Sequence, residues 1–179
     1  MIKKTNLPGI GLLNLKTALG VLVCILLYDL LHRPYVFFAC ISVIICLAPT
    51  METSYQMSKD RMIGTVLGGL LGIPFLYLKD SVINVVDFFP LEAVIICLGV
   101  MLVIYLLNLV GNKGAVANAC IVFLSVLITL EDGLQQMTPL MYSVNRIIDS
   151  AVGIIVALVV NKYFFPFDEE SKQEKGTLN

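Results

Sequence analysis

Two arginines stand at the mouths of apolar, glycine-rich stretches: Arg61 in "DRMIGTVLGGLLG" and Arg146 in "NRIIDSAVGIIVA". A guanidinium suits the holding of an organic anion, because its planar fork matches a carboxylate and it stays charged. Charge at the centre of a membrane helix costs roughly 2.5–3.5 kcal/mol on insertion scales, so a cation in an apolar run usually has a task. Both arginines lie near the ends of their segments, where a long side chain also snorkels cheaply to the interface. For either one alone the two readings stand level. Their recurrence in matching surroundings favours the functional one.

Other groups join this pair. Lys16 opens the first apolar segment, and Asp29 closes it beside His32 and Arg33. Asp29 and His32, three apart, have the spacing of a proton-passing pair, since histidine titrates near physiological pH; such pairs also serve as plain interfacial anchors. Asp149 follows Arg146 by three residues, the spacing of an intrahelical ion pair. Asp29, His32 and Asp149 are therefore the proton-coupling candidates. Cys24, Cys40, Cys46, Cys97 and Cys120 lie in apolar runs without metal-ligand or C-x-x-C spacing and read as small hydrophobes. No metal or cofactor is expected. With one histidine, no G-x-S-x-G and no phosphate-binding loop, an enzyme is not expected either.

The elements that must position these residues are membrane helices. Of 179 residues, 58% are hydrophobic and 14% charged, and the mean hydropathy is +0.91. Soluble domains carry about 25% charge. A net charge of −1 without a basic patch gives no reason to expect nucleic acid. Six apolar segments approach the roughly 20 residues of a spanning helix: about 13–31, 34–48, 61–78, 91–110, 114–130 and 140–164. The basic amino-terminal segment lacks an A-x-A-like cleavage site and reads as a retained first helix. Residues 1–165 form the membrane domain, and 166–179 read as a polar cytoplasmic tail. With the amino terminus inside, nine of the twelve lysines and arginines face the cytoplasm, which places both termini there.

The chain is also doubled. Aligning Arg61 with Arg146 sets Thr65 on Ser150, Gly68 on Gly153 and Gly72 on Ala157, 85 positions apart. Upstream, "ACISVIICLAPTME" from Ala39 matches "ACIVFLSVLITLED" from Ala119, and Gly20 and Asp29 fall on Gly99 and Asn108. Asn108 does not titrate, which argues against a symmetric proton relay. The halves, about 11–80 and 91–165, hold three spans each, so the second enters the membrane the other way up. That is an all-α, three-plus-three inverted-topology repeat, an arrangement of transporters whose substrate site lies near the midplane. Gly64, Gly68 and Gly72 line one helix face, and with Gly153 they read as close helix packing within or between protomers.

The runs "GLLNLKTALG", "APTMETS", "DRMIGTVLGGLLG" and "NRIIDSAVGIIVALVVN" resemble the bacterial aromatic acid exporter family. That family belongs to a wider group with fusaric acid resistance proteins and, more distantly, plant aluminium-activated malate transporters. The resemblance spans about Gly11 to Asn161. It implies a six-helix domain of the bacterial cytoplasmic membrane that moves organic anions, often aromatic carboxylates, outward, with two protomers lining the route by basic residues. On that basis Arg61, Arg146 and Lys16 are anion-contacting candidates, and Thr65 and Asn145 of the same motifs complete the set. Two departures stand out: no sizeable cytosolic domain follows the membrane part, and Leu13 stands where many members have arginine. The rival expectation is a non-transporting membrane scaffold that dimerises through the glycine face.

Overall fold

The computed structural model describes residues 11–33, 35–83, 89–129 and 138–164. The expected tail at 166–179, and Lys3 and Lys4, lie outside them. Among the described residues six α-helices follow one another: α1 Leu12–Leu30, α2 Phe37–Cys46, α3 Met51–Ile83, α4 Phe89–Leu109, α5 Val116–Thr129 and α6 Pro139–Tyr163. A single 3-10 turn, Lys113–Ala115, leads into α5, and no strand occurs among the described residues. Four helices, α1, α3, α4 and α6, are long and apolar enough to cross a membrane. α2 and α5 are apolar but short, 10 and 14 residues. At 1.5 Å per residue they reach about 15 and about 21 Å, less than the roughly 30 Å of bilayer hydrocarbon.

α3 differs most from the expectation. Its 33 residues begin at Met51, ten residues before the apolar run. The intervening "METSYQMSKD" is polar but contains no Gly or Pro, and its start is capped. Thr50 Oγ1 accepts from the Thr53 amide at 3.2 Å, and Glu52 lies in the first turn, where the helix dipole favours it. Hydropathy therefore marks only the membrane portion of a longer helix. The carboxyl end likewise runs past the expected boundary, taking in Lys79, which is fully buried and pairs with Glu92 of α4 at 3.4 Å.

α1 and α4 end alike. The Arg33 amide donates to the Tyr28 carbonyl and the His32 amide to that of Asp29. The Asn112 amide donates to Leu107 and the Gly111 amide to Asn108. Each is the paired bonding of a Schellman cap, which requires a left-handed residue. Gly111 takes that role with φ 79°, and His32 with φ 49°.

Two apolar clusters form the core. One joins α1, α2 and α6 through Cys24, Val43, Ala157 and Val160. The other joins α4 and α5, with α3 packed against it, through Val103, Ala119, Phe123 and Val126. The most extensive interhelix contacts are α3 with α5 and α2 with α6. Glycines allow these approaches. A Cβ at Gly68 would strike the Ala119 carbonyl and one at Gly153 the Ala39 carbonyl. One at Gly20 would strike Val43, and one at Gly99 would strike Phe123. The face of Gly64, Gly68 and Gly72 is thus covered by α5 of the same chain.

Helix directions follow from these contacts. Gly64 lies by Asn118 and Gly72 by Val126, so α3 and α5 run parallel. Gly153 lies by Ser42 and Asn161 by Ala48, so α6 and α2 do too. Thr65 meets Ser150 while Gly69 meets Ser143, so α3 and α6 are antiparallel. The outer surface is apolar: Leu26, Leu98, Met101 and Tyr105 are each more than half exposed. Lys16, Arg61, Lys79, Arg146 and Asp149 are buried inside the bundle, whereas Asp29, Glu52, Lys59, Asp80, Lys113 and Lys162 are exposed, most of them near helix ends. The protein is a multi-pass membrane protein.

Candidate functional site

The molecule's polar interior is organised about one contact. Thr65 Oγ1 and Ser150 Oγ, the residues equated by the sequence repeat, lie 3.3 Å apart between α3 and α6. Arg61 precedes Thr65 by one turn and Arg146 precedes Ser150 by one turn. Because the helices are antiparallel, the two arginines fall on opposite sides of this contact, each about 6 Å from it along its own helix. Both are only 4% exposed, so neither snorkels to the surface. Burying a cation is costly unless other groups compensate, and the surroundings of each decide what it does.

Arg61 donates from Nε to Ser42 Oγ of α2 at 3.3 Å. Its carbonyl accepts from Thr65 Oγ1 at 2.8 Å and from Asn118 Nδ2 at 2.7 Å, so α3, α2 and the start of α5 fix the residue together. Asn118 also donates to Thr65 Oγ1 at 3.0 Å. Arg61 is one of the residues lining a cavity of about 330 Å³, together with the apolar Ile45, Met57, Ala117 and Ile121 and the polar Asp60 and Asn118. Ligand sites for small organic molecules begin near this size, around 300 Å³, and are mostly apolar with few polar anchors. A largely apolar cavity lined by a buried cation, with the Asp60 carboxylate beside it, has the chemistry for an apolar body that carries a negative charge.

Arg146 is held by aromatic rings. Its guanidinium carbon lies 3.0 Å from the Phe38 ring centroid and 4.5 Å from that of Tyr142. Cation–π attraction of this kind is worth about 2 kcal/mol or more when desolvated. It satisfies charge but not hydrogen-bond donors: Nε and Nη1 are buried with no hydrogen-bond partner among the described residues. The anticipated ion pair with Asp149 does not form. Asp149 instead accepts from Tyr28 Oη at 2.6 Å and lies 4.0 Å from Arg33, whose Nη2 donates to Asn145 Oδ1 at 3.0 Å. Arg146 is not among the residues bordering the cavity at Arg61.

Lys16 is buried at the opposite end of α1. It donates to Asn161 Oδ1 at 3.2 Å, and Asn161 Nδ2 donates to Ala48 O at 3.1 Å and Ser54 Oγ at 2.8 Å. Helix α6 is thereby tied to the short connection between α2 and α3, where Pro49 and Thr50 stand.

Of the sequence-derived candidates, Arg61, Arg146, Lys16, Thr65 and Asp149 are brought into the interior, and Asn145 lies half-buried at its edge. Asp29 and His32 are exposed at the end of α1, where His32 serves the helix cap. Gly64, Gly68, Gly72 and Gly153 lie at helix contacts. Among the cysteines, Cys24 and Cys46 are buried and Cys97 is exposed on α4. Sequence reasoning missed Tyr28, Phe38, Ser42, Asn118, Tyr142 and Asn161. Asn145, Asp149, Gly153, Ala157 and Asn161 do recur every four residues along one stripe of α6, a signal that could have brought Asn161 forward.

Comparison with curated proteins and with solved structures gave no match. The fusaric acid resistance protein-like family matches residues 22–160, a stretch holding both arginines and the whole of α2 through α5. The chain therefore belongs to the fusaric acid resistance protein-like family, whose function is of the membrane transport or efflux type.

Proposed function

We propose that this protein exports small organic anions, aromatic carboxylates among them, across the bacterial cytoplasmic membrane. The observation that carries the reading is the pair of buried arginines on either side of the Thr65–Ser150 contact, one facing a cavity with apolar walls and the other retaining unpartnered donors. Positive potential from the two buried arginines lowers the barrier for an anion, as basic rings do in anion pores. Lys16, Thr65 and Asn145 add contacts along the route, and Asp149 is the buried acid through which proton coupling would run. Both termini are cytoplasmic, and the working unit is a homodimer.

The underlying architecture is a three-plus-three inverted repeat. Its support is a set of matched contacts: Gly20 on Val43 with Gly99 on Phe123, Gly68 on Ala119 with Gly153 on Ala39, and the paired caps at His32 and Gly111. Short helices α2 and α5 occupy corresponding places in the two halves, the positions where transporters of this kind build their sites. The scaffold alternative loses its pairing surface, because α5 already covers the glycine face.

The test is flux of benzoate from liposomes carrying purified protein, with and without a pH gradient. Arg61→Ala and Arg146→Ala should each lower flux about tenfold or more, equivalent to about 1.4 kcal/mol of anion stabilisation, in protein that still elutes and melts as a folded species. Wild-type flux no greater than that of empty liposomes, across several organic anions, would overturn the proposal.

A further inference from the structure

Asp149 is the buried acid among the described residues, and it stands within reach of Arg146 on the same helix. A buried cation and carboxylate three residues apart attract strongly in a medium of low dielectric. Yet no ion pair joins them among the described residues, and two guanidinium nitrogens of Arg146 remain without partners. Asp149 is held on its other side. Tyr28 Oη donates to Oδ1 at 2.6 Å from α1, and Arg33, just beyond the end of α1, approaches the same oxygen at 4.0 Å. Arg33 is itself steadied by Asn145 one turn earlier on α6. Phe38 and Tyr142 place their rings against the guanidinium, 3.0 and 4.5 Å from its carbon to the ring centroids.

We infer that Tyr28, assisted by Arg33, is a positioning residue that holds Asp149 away from Arg146 and so keeps the guanidinium open to an incoming carboxylate. Asp149 is a built-in competitor for the anion, restrained by α1. The inference rests on reading Arg146 as an anion contact. It makes α1, rather than α6, the element that sets the affinity of this end of the route. Any movement of α1 that breaks the Tyr28 bond hands Arg146 an internal carboxylate in place of the transported one.

The experiment measures binding of radiolabelled benzoate to the purified full chain in lipid nanodiscs, by scintillation proximity, without a pH gradient. Tyr28→Phe removes the donor with little change in volume and should weaken binding about tenfold. Adding D149N to Y28F removes the competing charge and should restore binding to near the wild-type value. A merely structural role for Tyr28 predicts no rescue, and an unrescued double variant overturns the inference. If Y28F does not fold, Arg33→Gln cuts the second restraint, and the same loss and the same rescue by D149N are expected. Wild-type protein that binds benzoate and loses it in R146A, while Y28F binds as wild type, refutes the positioning role alone. Wild-type protein that binds neither benzoate nor any of several other organic anions refutes the anion reading and this inference with it.

Discussion

Asn161 joins several parts of the structure near the amino-terminal end of α1. Its amide spans Lys16, the Ala48 carbonyl and Ser54, drawing α1, α6 and the α2–α3 connection together. Each such bond contributes about 1 kcal/mol net, and a buried ammonium deprived of a partner costs more. Asn161→Ala should therefore lower stability by about 2–3 kcal/mol, read as an earlier thermal transition in detergent. Phe38 offers a test of a different kind. If the rings at Arg146 also receive an aromatic substrate, Phe38→Leu should reduce the preference for benzoate over an aliphatic monocarboxylate about threefold, in keeping with about 0.5–1 kcal/mol of ring contact. An unchanged ratio would show that Phe38 serves only the arginine. The arginines themselves were legible in the sequence, because charge stands out against an apolar run. Their partners were not. Ser42, Asn118 and Tyr28 are unexceptional residues in helices remote along the chain, and only folding selects which of them meets Arg61 or Asp149.

The helices bear out much of what periodicity and punctuation foretold. α1, α4 and α6 lie within two residues of their expected bounds, because apolar runs of about 20 residues closed by Gly, Pro or a cap leave few alternatives. α3 escaped because its first ten residues, largely polar but free of Gly and Pro, lie outside any hydropathy window, and α2 proved shorter than the run that contains it. Gly68 and Gly153 were foreseen as packing sites, but their partners depend on the fold. Gly68→Leu and Gly153→Leu should each destabilise the chain itself by about 3 kcal/mol or more through overpacking against backbone. The readout is loss of the monodisperse folded peak, rather than conversion of a dimer into folded monomers. The two caps give a gentler comparison. Gly111→Ala forces a side chain into the left-handed region and should cost about 1 kcal/mol or more, whereas His32→Gly relieves that conformation and should melt no earlier than wild type.

Across the whole molecule the orientation is open to direct labelling. In a background without native cysteines, a membrane-impermeant maleimide should reach Tyr35→Cys on intact cells. Lys59→Cys and Lys113→Cys should react only after permeabilisation; the opposite pattern would invert the topology. The pairing of α3 with α5 and of α6 with α2 has a consequence for how the protein is made. A ribosome releases α3 into the bilayer before the residues that cover its glycines have been synthesised. Until α5 emerges, Gly64, Gly68 and Gly72 face lipid and Arg61 lacks Asn118. Maturation therefore waits for α5 and α6, since α5 covers the glycine face of α3 and α6 packs against α2. A fragment ending at residue 84 should insert and then be cleared by quality-control proteolysis, and co-expression of the remainder should prolong its life.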